Sequence, residues 1–202
     1  FSLLISIPSA IGLYILSYPI IHILFERGAF LNEDTLYTAK VLSIFSFGLP
    51  AYILTKVLIV SFFAREDTKT PLYISIVSVG VNVVLSLLLI GTMREMGIAL
   101  ATAISAWVNT FLLFLALQIK QNLNLDNKLL TNSIKIIISS IIMLAVCFFF
   151  NKILFSNLHN FSFIMKIGFL LLIILSSTII YLTMIFMLKI LTINDLKGYI
   201  RK

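Results

Sequence analysis

The sequence predicts an all-α polytopic membrane protein with six transmembrane helices, on three observations. Hydrophobic residues make up 60% of the 202 residues, the mean hydropathy is +1.12, and only 11% of residues are charged. A water-soluble domain carries roughly 25% charged residues to solvate its surface, so this composition excludes one. The charges also gather in short stretches between long apolar runs, which is how a chain reads when lipid is its main solvent. Six of those runs reach the roughly 20 residues that a helix needs to cross the hydrocarbon core. Backbone groups in lipid must be satisfied internally, and the runs are too long and too uniform for the alternating strands of a barrel.

The first run, Phe1–Phe25, holds Pro8 and Pro19, and the second, Val41–Ala64, holds Gly48-Leu49-Pro50. Both are expected to kink, which membrane helices tolerate when neighbours satisfy the freed carbonyls. The third, Pro71–Met93, follows Thr70, read as an N-cap with proline at the first helical position. The fourth, Gly97–Ile119, opens at Gly97 after the charged turn Arg94-Glu95. The fifth covers about Leu130–Phe150 and the sixth Ile167–Leu188. The asparagine-rich stretch Asn122–Thr131 divides the chain into a four-helix unit (1–120), a polar linker (121–135) and a terminal hairpin with its tail (136–202). That hairpin is built from Ile, Leu and Phe with few polar residues, a surface suited to lipid or lipid chains. Between its helices, Lys152–Lys166 mixes Phe155, Leu158, Phe161 and Phe163 with Ser and Asn. It reads equally as an interfacial segment or an ordinary loop.

The formal net charge is +7, but the basic residues sit at run ends without interleaved aromatics, so the partner they suggest is a membrane surface and not nucleic acid. One side of the membrane receives Arg65, Lys69, Lys120, Lys128, Lys135, Lys189, Lys197, Arg201 and Lys202. The other receives Arg27, Lys40, Arg94, Lys152 and Lys166. The positive-inside rule places the richer side, and both chain ends, in the cytoplasm. The chain starts at Phe1 with no basic stretch before the first apolar run, unlike a signal peptide, so further residues are expected upstream. The single cysteine, Cys147, lies beside Phe148, Phe149 and Phe150 and reads as a buried, inert thiol.

Polar residues inside the apolar runs are the informative ones, because each costs free energy without a partner or water. Ser75, Ser78, Asn82 and Ser86 fall on one narrow face of the third helix, and Thr102, Ser105 and Asn109 on one face of the fourth. A tight turn joins these helices, so the stripes can meet as interhelical glue, with Gly80, Ala99, Ala101, Ala103 and Ala106 permitting close approach. The sharper alternative is that they line an aqueous cavity or hold a cation through neutral oxygens. Lys56 is the one unambiguous charge within a crossing. Either it snorkels to the headgroups, or it faces a central cavity and attracts an anionic lipid headgroup.

No catalytic constellation emerges, and an enzyme is not expected. His22 and His159 have no His or Cys at ligand spacing. Glu26, Glu33 and Asp34 share one loop that is either solvated or cation-binding, and no glycine-rich phosphate loop is present.

The residues up to about Leu117 resemble the MurJ/MviN lipid II flippases of the MOP transporter superfamily. The resemblance rests on Pro8-Ser9-Ala10, on Leu24-Phe25-Glu26-Arg27-Gly28-Ala29-Phe30, and on Gly48-Leu49-Pro50 with Lys56-Val57-Leu58. It continues through Phe63-Ala64-Arg65-Glu66-Asp67-Thr68-Lys69-Thr70-Pro71, Asn82, Gly97-Ile98-Ala99-Leu100-Ala101-Thr102 and Trp107-Val108-Asn109. The stretch Arg-x-Asp-Thr-Lys-Thr-Pro is the most specific piece. Beyond Leu117 the chain is similar only in having two further hydrophobic helices.

The resemblance implies the C-terminal part of a MOP-type fourteen-helix transporter of the bacterial inner membrane, with both ends of this stretch cytoplasmic. It implies an alternating-access carrier whose central cationic cavity takes up the headgroup, while the final helix pair grooves the polyprenyl tail. The strongest headgroup residues are then expected in the N-terminal part of the same protein, upstream of Phe1. Some members bind sodium, and Asn82, the carbonyl of Ile98 and the side chain of Thr102 match that pattern. Ser86 stands where those members have an aspartate, and losing a carboxylate removes the strongest ligand for a hard cation. No cofactor is expected, and a sodium ion is in doubt on that ground. The implied function is translocation of lipid II, a polyprenyl-linked peptidoglycan precursor. The alternatives are a related MOP exporter of another lipid-linked saccharide or drug, and a non-transporting membrane scaffold.

Overall fold

The computed structural model describes residues 2–120, 127–155 and 162–190, with the backbone alone at 127–130 and 154–155. Among them are six helices: α1 (Ser2–Phe25), α2 (Asn32–Phe63), α3 (Lys69–Met93), α4 (Glu95–Ile119), α5 (Asn127–Phe155) and α6 (Phe163–Met187). All six are long and apolar enough to cross a membrane. The chain divides into two compact units, Phe1–Leu125 and Asp126–Lys202. The helical start at Asn127 puts the second half of the stretch 121–135 inside α5.

Several boundaries differ from the sequence reading, each for a local reason. α2 begins at Asn32, well before Val41, and at 32 residues it is about 48 Å long, more than the hydrocarbon core requires. Its first turns, with Glu33, Asp34 and Lys40, are too polar to register as a crossing. They are helical because Asp34 accepts the Leu31 N–H at 2.9 Å and places acidic charge at the helix N-terminus. α3 begins at Lys69, so Thr70 is not its cap. Asp67 does that work, accepting the Thr70 N–H at 3.1 Å and the Thr70 hydroxyl at 2.7 Å. α4 begins at Glu95, with the single residue Arg94 (φ 50°) making the reversal from α3. α5 runs on to Phe155 and α6 begins at Phe163, ahead of Ile167; residues 156–161, with His159, lie outside the described residues. Pro8, Pro19 and Pro50 all lie within continuous helices.

α4 is the hub of the first unit. It packs along both α2 and α3, whereas α2 and α3 barely touch, and α1 packs on α2. Its buried face is built from Gly97, Ala99, Ala101, Ala103 and Ala106, then Leu113 and Leu117, which pack with Phe62 of α2. Small residues bring backbones together where lipid supplies no hydrophobic drive for association. Gly97 is required for that approach: a β-carbon there would lie 2.7 Å from the Leu89 carbonyl oxygen, on a backbone that cannot retreat. At Gly80 a β-carbon would meet nothing within 4 Å.

Polar clasps close the helix ends. Between α1 and α2, Glu26 Oε2 pairs with His22 Nδ1 at 2.6 Å and accepts the fully buried Thr35 hydroxyl at 2.7 Å, across a turn made by Gly28 at φ +64°. Between α2 and α3, Lys120 from the end of α4 donates to Asp67 at 2.5 Å and to Thr70 at 2.9 Å, over the Phe62 ring. The Lys120 ammonium, together with the Thr70 bonds, holds the Asp67 carboxyl at about 2, below its ordinary 3.8.

In the second unit three serines of α5 and α6 are turned inward. Ser139, Ser140 and Ser177 are buried with Cys147, Ile173, Tyr181 and Ile185, and each serine donates to a carbonyl one turn back in its own helix. The few polar residues of the hairpin therefore include three buried hydroxyls, while Thr178 and Thr183 stay on its exposed face. Lys135 closes it by donating to the Leu188 carbonyl at 3.0 Å, at the C-terminal end of α6.

Two outcomes follow from these contacts. Gly97→Ala should destabilise the protein by about 1–3 kcal/mol through overpacking, while Gly80→Ala should not; thermal unfolding followed by the single tryptophan, Trp107, separates them. Because the Asp67 carboxyl is depressed, its contribution is fully present above about 3.8 and is lost as pH falls through about 2. Lys120→Met should weaken that acid-limb dependence of the melting temperature between pH 4 and pH 2, leaving the part that the Thr70 bonds supply.

Candidate functional site

The two polar stripes meet. Ser78 donates to the Ser105 carbonyl at 2.7 Å, and Asn82 Nδ2 donates to Thr102 Oγ1 at 3.2 Å and to Ser105 Oγ at 3.0 Å. The Ser86 hydroxyl donates to Asn82 Oδ1 at 3.3 Å, and the Thr102 hydroxyl to the Ile98 carbonyl at 2.8 Å. Asn82, Ser86, Ile98 and Thr102, the four residues singled out for a cation, thus form one hydrogen-bonded chain across the α3–α4 interface. Glue between helices is what these bonds do.

As a cation site the set is poorly matched to sodium. Its oxygens are all neutral, the hydroxyls of Ser86 and Thr102 already point their protons at the nearest acceptors, and the Asn82 amide turns N–H toward Thr102. Nor do the loop carboxylates gather. Glu26 is taken up by His22 and Thr35, Asp34 by Leu31, and no three His, Cys, Asp or Glu among the described residues could share a metal.

A second set of bonds, absent from the sequence reading, ties α4 to α2 beside Pro50. The Thr110 hydroxyl lies 3.0 Å from the Ala51 carbonyl and 2.9 Å from that of Ala106, so the Thr55 hydroxyl, 2.9 Å away, donates to it. One turn earlier, Trp107 Nε1 donates to the Phe47 carbonyl at 3.1 Å and its ring leans on Phe47. Proline in a helix loosens the carbonyls of the preceding turn; Trp107 supplies a donor at that turn, and Thr110 one just past Pro50. The signal was available: Thr55, Trp107 and Thr110 are hydrogen-bonding residues in an otherwise apolar stretch.

Because α4 holds α2 and α3 apart while bonding to both, a cleft of about 310 Å³ opens between them. α2 contributes Tyr52, Thr55 and Lys56, α3 contributes Ser78, and α4 forms the floor with Thr102, Ser105, Ala106 and Asn109. Lys56 is exposed at this cleft. Thr102 reaches both the cleft and the hydrogen-bonded chain, whereas Asn82 and Ser86 belong to the interface behind it. The cleft combines one ammonium with hydroxyls and an amide inside apolar helices, a set of groups that can bind an anionic, hydroxyl-bearing solute.

Comparison with known proteins bears on the family of the chain. A family model described as lipid II flippase MurJ matches residues 1–170. The probable lipid II flippase MurJ of Rhizobium meliloti (strain 1021) is 41% identical over 148 residues, covering 73% of this chain and 28% of that protein. That of Rickettsia prowazekii (strain Madrid E) is 47% identical over 112 residues, covering 55% and 22%. A solved structure, lipid II flippase MurJ in an inward closed conformation, superposes with a TM-score of 0.67 at 29% identity, over 89% of this chain and 36% of that one. The chain spans about a quarter of the length of these curated relatives. With the family model matched over α1 to α4, their cleft and much of the remainder, the chain belongs to the lipid II flippase MurJ family.

Proposed function

We propose that the full-length protein carrying this chain moves lipid II from the cytoplasmic to the outer leaflet of the bacterial inner membrane by alternating access. The observation that carries the reading is the family match over residues 1–170, which takes in every residue of the polar cleft. In this reading both ends of the chain are cytoplasmic, and no covalent chemistry is involved.

Lys56 is the residue of this chain assigned to the substrate. It lies seven residues before the end of α2 at Phe63, about 10 Å along the axis. A charge at that depth is costly facing lipid and favourable facing an anion in a polar cleft. The chain Ser86–Asn82–Thr102–Ile98 is assigned to holding α3 on α4, with the cycle running without sodium. Its neutral, internally engaged oxygens support that assignment.

The first test is restoration of lipid II exposure in flippase-depleted cells. The full-length gene should restore it and the 202-residue chain alone should not. Failure of the full-length gene, with the protein present in the membrane, would overturn the reading. Within that assay Lys56→Ala should impair flipping at unchanged protein level, whereas unchanged complementation would assign Lys56 to the headgroup surface. Replacing external and internal sodium by potassium should leave the flipping rate unaltered, and strict sodium dependence would refute the assignment of the Asn82 chain.

A further inference from the structure

The polar groups around the cleft are not equally engaged. Thr55, Ser78, Thr102 and Ser105 all make hydrogen bonds between or within helices. Two buried groups do not: Tyr52 Oη and Asn109 Oδ1 are closed off from water and have no hydrogen-bond partner. In a membrane interior such atoms are costly, because neither lipid nor bulk water can satisfy them. Both belong to residues that line the cleft, and Tyr52 precedes Lys56 by four residues, one helical turn along the same face of α2.

The position of Tyr52 is provided for by the turn before it. Its ring folds back over Gly48, where a β-carbon would stand 3.0 Å from the ring edge and the hydroxyl. Gly48, Tyr52 and Lys56 therefore form one stripe at spacings of four, with the glycine making room for the tyrosine and the tyrosine next to the lysine. Since Oη makes no bond in this position, turning it into the cleft breaks none. The same holds for Asn109 Oδ1 across the floor.

We propose that Tyr52 and Asn109 are specificity-determining residues that hydrogen-bond the uncharged, hydroxyl- and amide-bearing part of the lipid-linked headgroup, while the neighbouring Lys56 takes its anionic part. The inference rests on the lipid II reading above. Its chemistry is that of a site with unmatched polar groups: a ligand that supplies hydroxyl and N–H partners satisfies them, and one that lacks those groups leaves them unpaired. A cleft of about 310 Å³ admits a group of sugar size.

The test uses the purified full-length protein in lipid nanodiscs with two probes, lipid II and a polyprenyl pyrophosphate of the same chain length without sugar or peptide. Tyr52→Phe and Asn109→Ala should each weaken lipid II binding about tenfold, the equivalent of one good hydrogen bond. Both should leave polyprenyl pyrophosphate binding unchanged, whereas Lys56→Ala should weaken both probes. Tyr52→Phe should also keep the wild-type melting temperature, since its hydroxyl supports no bond in the fold. The inference alone is overturned if wild type binds lipid II and the two variants weaken both probes equally or neither. It is equally overturned if Tyr52→Phe lowers the melting temperature without changing affinity, which would make the hydroxyl a partner for another helix. Wild-type protein that binds neither probe overturns the functional reading and this inference together.

Discussion

A polar group carried into a bilayer is costly unless it finds a partner within the protein, and α4 organises the first unit around that constraint. Its hydroxyls and indole face two ways: Thr102 and Ser105 toward Asn82 and Ser78 of α3, and Trp107 and Thr110 toward the carbonyls of Phe47 and Ala51 in α2. Small residues on the same helix let the backbones come close enough for these bonds. The steric demand is strictest at Gly97, where α4 starts against the end of α3. A helix satisfied on two sides holds its two neighbours apart. The cleft between α2 and α3 is a product of that arrangement.

At the ends of the helices, where water competes, the structure uses charge in place of neutral hydroxyls. Glu26 closes the α1–α2 hairpin through His22 and Thr35, and Asp67 with Lys120 closes the α2–α3 turn onto the far end of α4. These are also among the most recognisable residues of the sequence. Both Leu24-Phe25-Glu26-Arg27-Gly28 and Arg65-Glu66-Asp67-Thr68-Lys69-Thr70-Pro71 owe part of their pattern to turn geometry and clasping. An exposed ion pair contributes little stability by itself. Joined to a cap and a hydroxyl, the Asp67–Lys120 pair fixes the register between elements some fifty residues apart.

The residues that carry polarity within the crossings divide into two groups by what they touch. Asn82, Ser86, Thr102 and Ser105 spend their hydrogen-bonding capacity on one another. Lys56, Tyr52 and Asn109 stand at the cleft, two of them with buried oxygens that bond to nothing. Residue type does not separate these groups, since an asparagine appears in each. Their neighbours do.

Composition and run length determined the class of this protein from the sequence by itself. Six apolar runs bounded by charge admit only helices in lipid, because an unsatisfied backbone cannot persist there. The facing of the polar stripes was also legible, since spacings of four place Ser78, Asn82 and Ser86 on one side of α3 whatever the helix packs against. Other features became visible only in three dimensions. The start of α2 at Asn32 depends on capping and helix continuity in polar turns that hydropathy ignores. The turn closure by Lys120, the donors that α4 offers beside Pro50, and the inward turn of the hairpin serines are all contacts between distant segments or faces. Local sequence sets which groups need partners. Only the packed structure decides which partner each one finds, and which, like Tyr52 and Asn109, are left with none.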